Sequence, residues 1–195
     1  LTNKSGGTQK QILVSPLKEW LVSWPSARII TLTSKASAGS PGMLLFLDPD
    51  TGATRTILKG IAGLTTLSSP NGKRVLAGES TKTGVYTLMR DVTKETNSFF
   101  PLQTLPEKCL WTNDGETLYC AVPSAIFPAQ YPDQWYRGQV SFNDAIYKID
   151  AQTGQTSLMA GATGLDAIGL ALDQNSRTLY FENKTDKTLW ALTLR

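Results

Sequence analysis

Residues 67–76 read LSSPNGKRVL, a tight turn between two apolar runs. Pro70 holds its own φ at about −65°, Asn71 tolerates the next turn position, and Gly72 accepts a positive φ. The chain is therefore expected to reverse here as a β-hairpin. The same order of apolar run, turn and apolar run occurs four times, at intervals of 45, 43 and 61 residues, around Pro25, Pro70, Asn113 and Gln174.

A second motif lies at the other end of the repeated unit. Residues 47–52 read LDPDTG, and residues 149–154 read IDAQTG, which matches without a gap. The flanking runs are rich in β-branched and aromatic residues and show no sustained helical period. Each unit is therefore predicted to form four short antiparallel strands, A to D from the inside outward. A period near 43–45 residues with four strands per unit is typical of β-propeller blades.

The segments Ser68–Val75 and Asp48–Gly52 resemble the TolB-type, WD-like β-propeller repeats, whose turn commonly reads Ser-Pro-Asp-Gly-Lys. The resemblance extends over nearly the whole chain from about Gln11. It implies an all-β propeller fold and says little about function, because such propellers serve as scaffolds, receptors and accessory domains of enzymes. The turns of the first and fourth units depart from the motif, with Ser26-Ala27 and Asn175-Ser176 in place of Asn/Asp-Gly.

The repeats predict a flexible linker over residues 1–9 and a propeller domain over residues 10–195. Its blades span approximately residues 19–58, 64–102, 108–159 and 168–195. The fourth blade ends after its third strand, whereas residues 10–15 form a surplus strand that is predicted to complete a blade. Three arrangements stay open: a small closed ring, a homodimer formed by exchange of the N-terminal strand, and part of a larger propeller.

The composition excludes several classes of function. The chain has no histidine, which excludes a Ser-His-Asp triad, a histidine base and every zinc site that contains histidine. The net charge is +3, but the lysines and arginines are scattered, so we predict no nucleic-acid partner. No run approaches the roughly 20 apolar residues of a membrane span, so no direct membrane insertion is predicted. We expect neither enzymatic activity nor a cofactor nor a metal.

Cys109 and Cys120 are the only cysteines, and they flank the predicted turn at residues 113–116. A four-residue loop would place them directly opposite one another, whereas a three-residue loop would shift them by one residue onto different faces. Directly opposed residues suit a disulfide, although two buried cysteines can also simply be neighbours. We predict a disulfide, and with it an extracytoplasmic location: periplasmic, secreted or at the cell surface.

The third unit carries a long insertion between its strands B and C, at residues 123–142. The corresponding links of the second and fourth units, residues 79–84 and 182–187, are short and polar. Aromatic residues and arginine are enriched at interface hot spots. The candidate partner-binding residues are Phe127, Tyr131, Trp135, Tyr136 and Arg137. The alternative is that these rings pack back over the propeller. The resemblance implies that B–C links lie on the face where partners dock.

The first residues of the A strands are expected to surround the mouth of the central channel, if the orientation that the resemblance implies holds. The candidates there are Glu19, Glu107, Lys108 and Asp166, which could bind a polar ligand or simply solvate a rim. The sequence therefore favours a non-catalytic module that binds a protein or glycan. A propeller that accompanies a catalytic domain elsewhere is the second hypothesis, and a catalytic propeller using Glu107 and Asp166 is the third.

Overall fold

The computed structural model describes residues 9–161 and 163–194. Its strands form four antiparallel sheets in which each strand pairs with the next along the chain. The first blade contains β1 (Trp20–Ser26), β2 (Ile29–Ser34), β3 (Pro41–Leu47) and β4 (Thr54–Ala62). The second contains β5 (Thr65–Ser68), β6 (Arg74–Thr81), β7 (Gly84–Asp91) and β8 (Thr96–Phe99).

The third blade contains β9 (Cys109–Trp111), β10 (Thr117–Pro123), β11 (Asp144–Asp150) and β12 (Thr156–Gly161). The fourth has three strands, β13 (Ala167–Leu172), β14 (Thr178–Asn183) and β15 (Leu189–Thr193). A 3-10 turn at Pro106–Lys108 leads into β9, and the short helix α1 (Asp133–Tyr136) lies in the long insertion. The predicted all-β propeller fold is confirmed. None of the helices in the described ranges has the length and apolar character that a membrane crossing requires.

Aspartates hold the turns between the outer strands of the blades. The Oδ1 atom of Asp48 accepts the N–H groups of Asp50 and Thr51, and Asp150 does the same with the two corresponding residues. Asp91 repeats this geometry in the second blade, where Glu95 takes a φ of 58°. The other two turns have glycine at that position. The second blade thus contains the same turn without the glycine that marks it in the sequence.

Hydrophobic clusters join consecutive blades. Leu44 packs with Val75 between the first and second blades, Leu76 with Leu118 between the second and third, and Ile146 with Leu179 between the third and fourth. Within residues 9–161 and 163–194, no hydrophobic cluster joins the fourth blade to the first. The three interfaces fix the order of the blades, with the third in contact with neighbours on both faces.

Residues 10–15, predicted as a surplus strand that completes a blade, do not form a strand. Ile12 and Leu13 instead pack against the outer face of the first blade, on Ile30, Leu32 and Leu47. Lys10 Nζ donates a hydrogen bond of 3.0 Å to the carbonyl of Asp50. The segment thereby removes apolar surface of the first blade from water, and this burial stabilises the position that it adopts.

The fourth blade is left with β15 as its outermost strand. Homodimerisation by exchange of residues 10–15 stays a prediction, and it would require the segment to leave the first blade. The predicted linker, residues 1–9, lies outside the described residues except for its last member.

Candidate binding site around the third blade

A disulfide fixes the register of the two inner strands of the third blade. Cys109 lies directly opposite Cys120, with 4.0 Å between their Cα atoms, and their sulfurs are bonded. The loop is closed by the hydrogen bond of 2.9 Å from the N–H of Thr112 to the carbonyl of Thr117. The four-residue loop and the predicted disulfide are confirmed. Both cysteines lie in the core between the second and third blades.

Lys108 is fully buried at the start of β9, where the 3-10 turn delivers its side chain into the protein. Its ammonium group lies 2.5 Å from Oδ1 of Asp166 and 2.8 Å from Oδ2 of Asp144. It also donates a hydrogen bond of 3.0 Å to the carbonyl of Ala167. All three N–H groups of the ammonium therefore have acceptors, which a buried lysine requires. We call Lys108, Asp144 and Asp166 the buried charge cluster.

Two residues of the inserted loop donate hydrogen bonds to this cluster. Trp135 donates its indole N–H to Asp166, 3.0 Å from Oδ2, and the backbone N–H of Phe142 donates to the same oxygen at 3.3 Å. The ammonium of Lys108 lies 5.2 Å from the centre of the Trp135 ring and 5.1 Å from that of Phe142. These aromatic faces favour a cation. The loop is consequently held down by both hydrogen bonds and cation–π contacts.

Asp144 was not identified from the sequence, because its partner Lys108 lies in the 3-10 turn 36 positions earlier in the chain. Its Oδ2 accepts the N–H of Ala167 at 2.7 Å, whereas its Oδ1 has no hydrogen-bond partner. Burial raises the pKa of Asp144 to about 6, against the opposing effect of Lys108. The negative charge of Asp166 also raises this pKa, because two carboxylates share one ammonium.

The structure divides the predicted partner-binding residues into two groups. Tyr131 and Trp135 are buried, with 2% and 3% of their surface exposed, and the Tyr131 ring stacks on Phe142 at 5.7 Å. Phe127 is 71% exposed, and Tyr136 and Arg137 also face solvent. Tyr131 and Trp135 therefore belong to the core, as the alternative of rings packed back over the propeller predicts. Phe127, Tyr136 and Arg137 form an exposed surface.

The four charged residues predicted at the channel mouth do not form one ring. Lys108 and Asp166 meet in the buried charge cluster. Glu19 is exposed and forms an ion pair of 2.8 Å with Lys35. Glu107 accepts a hydrogen bond from the hydroxyl of Tyr136 on Oε1, while its Oε2 is buried without a hydrogen-bond partner. Burial raises the pKa of Glu107.

A small cavity of about 130 Å³ lies beside Glu107. We call it the central cavity. Hydroxyl-bearing residues and a few apolar side chains form its walls: Leu21, Val22, Ser23, Thr31, Thr33, Thr65, Thr66, Leu67, Ser68, Glu107 and Tyr136. A second, open groove of about 520 Å³ runs between the second and third blades, next to the exposed end of the inserted loop. Leu102, Tyr147 and Ile126 are among the residues that line it.

No protein-family model and no curated protein sequence matches this chain. Solved structures do match it. TolB from Acinetobacter baumannii is 16% identical with a TM-score of 0.59, over 98% of this chain and 47% of that one. A putative TolB from Agrobacterium tumefaciens is 15% identical with a TM-score of 0.62, over 93% and 60%. Hydrazine synthase from Kuenenia stuttgartiensis is 16% identical with a TM-score of 0.59, over 85% and 49%.

The chain spans about half the length of these three solved structures. At these identities the likeness concerns the fold alone, and the structures include an enzyme as well as TolB proteins. The order of the strands, the three interfaces between blades and these likenesses agree with the resemblance of the turn motifs. In its architecture the chain is a TolB-like β-propeller.

Proposed function

We propose that this chain is a non-catalytic binding module of an extracytoplasmic protein, and that it holds a protein or glycan partner on the face that carries the inserted loop. The observation that carries the proposal is the division of the loop. Its buried half is fixed by Trp135, Tyr131 and the buried charge cluster, and its other half presents Phe127 at 71% exposure. A fixed platform loses little conformational entropy on binding, which favours affinity.

The groove beside the loop supports the same proposal. It combines apolar residues with the hydroxyl-bearing Thr83, Ser124 and Tyr147, and its volume of about 520 Å³ suits a short peptide segment or a sugar unit. Phe127 and Arg137 are residue types that anchor such contacts. Asp133 further ties the loop to the first blade, because its Oδ2 accepts the N–H of Ala38 at 2.7 Å.

The proposed location rests on the disulfide. Disulfides persist in oxidising compartments and are rare in the reducing cytosol. Intact-mass measurement of protein purified from its native compartment, with and without reductant, tests this part. A gain of two hydrogen masses on reduction is expected, and a mass that does not change would contradict an extracytoplasmic location.

The binding test compares two variants that should fold alike. Phe127→Ser with Arg137→Ser alters the exposed half of the loop, and Leu158→Ser alters an exposed apolar residue of β12 as the matched control. Partners are first identified by affinity capture from the cells that make the protein and by a glycan array. They are then measured with purified components.

We expect a loss of affinity of at least 10-fold for the double variant, with no loss for Leu158→Ser. A partner that binds the double variant as tightly as the wild type, or no partner in either screen, would contradict the proposal.

A second candidate is an accessory propeller of an enzyme whose catalytic residues lie outside this chain. The likeness to hydrazine synthase favours it, since that structure includes a propeller of this kind in an enzyme. The complete gene decides between the two: a catalytic domain encoded after Arg195 supports the second candidate. Activity of the complete protein that survives Glu107→Gln and Asp166→Asn would place the chemistry outside this domain.

A further inference from the structure

The outermost strand of the second blade covers less of its neighbour than the outermost strands of the first and third blades do. In the first blade, β4 pairs with β3 from Leu47 back to Pro41, and in the third blade β12 reaches Ala145 near the start of β11. In the second blade, β8 pairs only with residues 88–91 of β7. Residues 84–87 of β7 therefore have no strand beside them on that side.

Within this stretch, the backbone of Val85 has no partner. β6 and β7 pair without a register shift, so successive residues of β7 point their backbone groups toward β6 and away from it in turn. Thr87 points away, because its N–H donates to Oε1 of Gln103 at 2.7 Å and its carbonyl accepts from the N–H of Phe100. Val85, two residues earlier, points the same way. In the part of the chain that the structure describes, nothing bonds to its N–H or its carbonyl.

The groove between the second and third blades adjoins this position. Val85 is itself largely buried, but it is among the residues that line the groove, together with Leu102, Ala145 and Tyr147. Backbone groups without a partner in the chain are normally bonded to water or to a ligand. Of the described residues that line the groove, none is acidic or basic. The groove therefore suits an uncharged and partly apolar occupant.

The arrangement of the free backbone groups favours a peptide over a sugar. One residue of an added antiparallel strand carries the N–H and the carbonyl that match those of Val85, so both can be bonded at once. The neighbouring outward residue, Thr87, shows the same chemistry within the chain. Its N–H is bonded by the side-chain amide of Gln103, and an amide carbonyl is the group that every peptide bond presents.

We propose that the groove binds an extended, uncharged peptide segment of a partner protein, and that one residue of this segment pairs with Val85 as an added strand. The side chain of that residue lies on the same face of the sheet as the side chain of Val85, which packs toward the inserted loop of the third blade. This inference rests on the proposed function and names the class of partner that the groove takes.

The inserted loop borders one end of the groove. A Cβ atom added at Gly84 would lie 2.6 Å from Cγ2 of Ile126, so the loop passes directly beside the start of β7. The next residue of the loop is Phe127, which is 71% exposed. A peptide paired with Val85 would therefore have the exposed half of the loop next to its flanking residues.

Hydrogen exchange followed by NMR tests the free edge in the wild-type protein without any ligand. By the same alternation, the N–H groups of Tyr86 and Leu88 point toward β6, whereas that of Val85 does not. The amide of Val85 should therefore exchange roughly 10-fold faster, or more, than those of Tyr86 and Leu88. Equal protection of the three amides would show that the edge is closed and would overturn the proposal.

The probes for binding are three capped peptides, acetyl-Ser-Thr-Xaa-Thr-Ser-amide with alanine, valine or leucine as Xaa. At least one should shift the amide signals of Val85, Leu102 and Ala145 to saturation, with a Kd on the order of 1 mM because ordering a short peptide offsets much of the gain. The bound peptide should slow the exchange of the Val85 amide and leave that of Tyr86 unchanged. The same peptides with their three central nitrogens methylated keep the side chains but lack the donors, and should bind roughly 10-fold more weakly or worse.

A variant that fills the groove provides a second test. Ala125 lines the groove and is exposed, so Ala125→Trp should fold and should weaken peptide binding roughly 10-fold or more. Ala27→Trp is the matched control, because Ala27 is an exposed alanine in the turn between β1 and β2. It should bind the peptides as the wild type does.

Four results with the probes would overturn the proposal: no saturation with any of the peptides, equal binding of the methylated peptides, equal binding by Ala125→Trp, or tighter binding of the disaccharide N,N′-diacetylchitobiose at the same amides. The last would assign the groove to a glycan. A captured partner that depends on Phe127 and Arg137, with no peptide bound in the groove, would contradict this inference and leave the proposed function standing. Peptide binding without any captured partner would support this inference and contradict the proposed function.

Discussion

Glu107 and Lys108 are consecutive residues, yet their charged groups differ in their hydrogen-bond partners. Lys108 points into the buried charge cluster, where each N–H group of its ammonium has an acceptor. Glu107 points into the central cavity, where one carboxylate oxygen has none. The comparison separates a charge whose hydrogen-bonding groups all have partners from one that is only partly satisfied. The two residues also differ in burial, since Lys108 is fully buried and Glu107 is only partly buried.

The largest effect is expected from breaking the charge cluster. Lys108→Met leaves Asp144 and Asp166 buried without their counter-charge, and removal of one partner from a buried ion pair costs about 3–5 kcal/mol. Urea unfolding at pH 7 should show this loss. Lys35→Met, which removes an exposed ion pair with Glu19, should unfold at the wild-type urea concentration. Equal midpoints for the two variants would show that the cluster does not stabilise the fold.

The pH dependence of stability should reveal the excess of carboxylates in the cluster. Burial raises the pKa of Asp144 from 3.8 to about 6, so between these values the folded protein binds a proton that the unfolded chain has released. Stability contributed by this proton is complete below pH 4 and is lost as the pH rises through 6. At 1.36 kcal/mol per pH unit, the loss is up to about 3 kcal/mol.

The Asp144→Asn variant tests whether the titration of Asp144 lowers stability as the pH rises. The amide cannot titrate, so the stability of the variant relative to wild type should rise between pH 4 and pH 7, as measured by urea unfolding at each pH. Lys108 and Asp166 face the same group and are present in both proteins, as is Glu107, whose pKa is also raised by burial. A difference that is constant with pH would mean that Asp144 has an ordinary pKa.

Trp135→Phe tests how firmly the cluster holds the inserted loop. Phenylalanine keeps an aromatic face toward Lys108 but cannot donate a hydrogen bond to Asp166. Hydrogen bonds to charged groups contribute about 1.5–3 kcal/mol, and thermal unfolding should show a loss in that range. An unchanged unfolding temperature would imply that the loop is held by packing alone.

The smallest effect on stability is expected from the hydrogen bond to Glu107. Tyr136→Phe removes the hydroxyl that bonds to Glu107, but this tyrosine is half exposed and water can replace it. We expect a loss of stability below about 1 kcal/mol in the same thermal assay. If this variant lost as much as Trp135→Phe, the central cavity would be as structural as the charge cluster, and the contrast between Glu107 and Lys108 would disappear.

The blades could be predicted because their signals are local. Two features depend only on residues close in sequence: the turn at Pro70-Asn71-Gly72 and the pairing of Cys109 with Cys120. Both were predicted from the sequence. The turn at Glu95 escaped detection because a residue other than glycine adopts the positive φ. The N-terminal segment was predicted as a strand that completes a blade because the fourth blade ends after its third strand, whereas contacts with the first blade decide the position of the segment.

The candidate site was predictable only in its location. Aromatic residues in a long loop suit both a core and a binding surface, so composition could not separate Trp135 from Phe127. The contacts that separate them join distant positions, as Lys108 joins Asp166 across 58 residues. Glu107 and Lys108 were grouped together because they are adjacent in sequence. Their different partners come from strands and loops that no local pattern connects to them.

The disulfide has a consequence for the order in which the protein folds. Its cysteines are 11 residues apart, whereas Asp166 follows Lys108 only 58 residues later. Because the entropic cost of closing a loop rises with its length, the hairpin closes more readily than the loop that brings Asp166 to Lys108, and it can oxidise first in an oxidising compartment. The disulfide thus aligns β9 with β10 early in folding. Lys108 is then already in position when the fourth blade packs against the third.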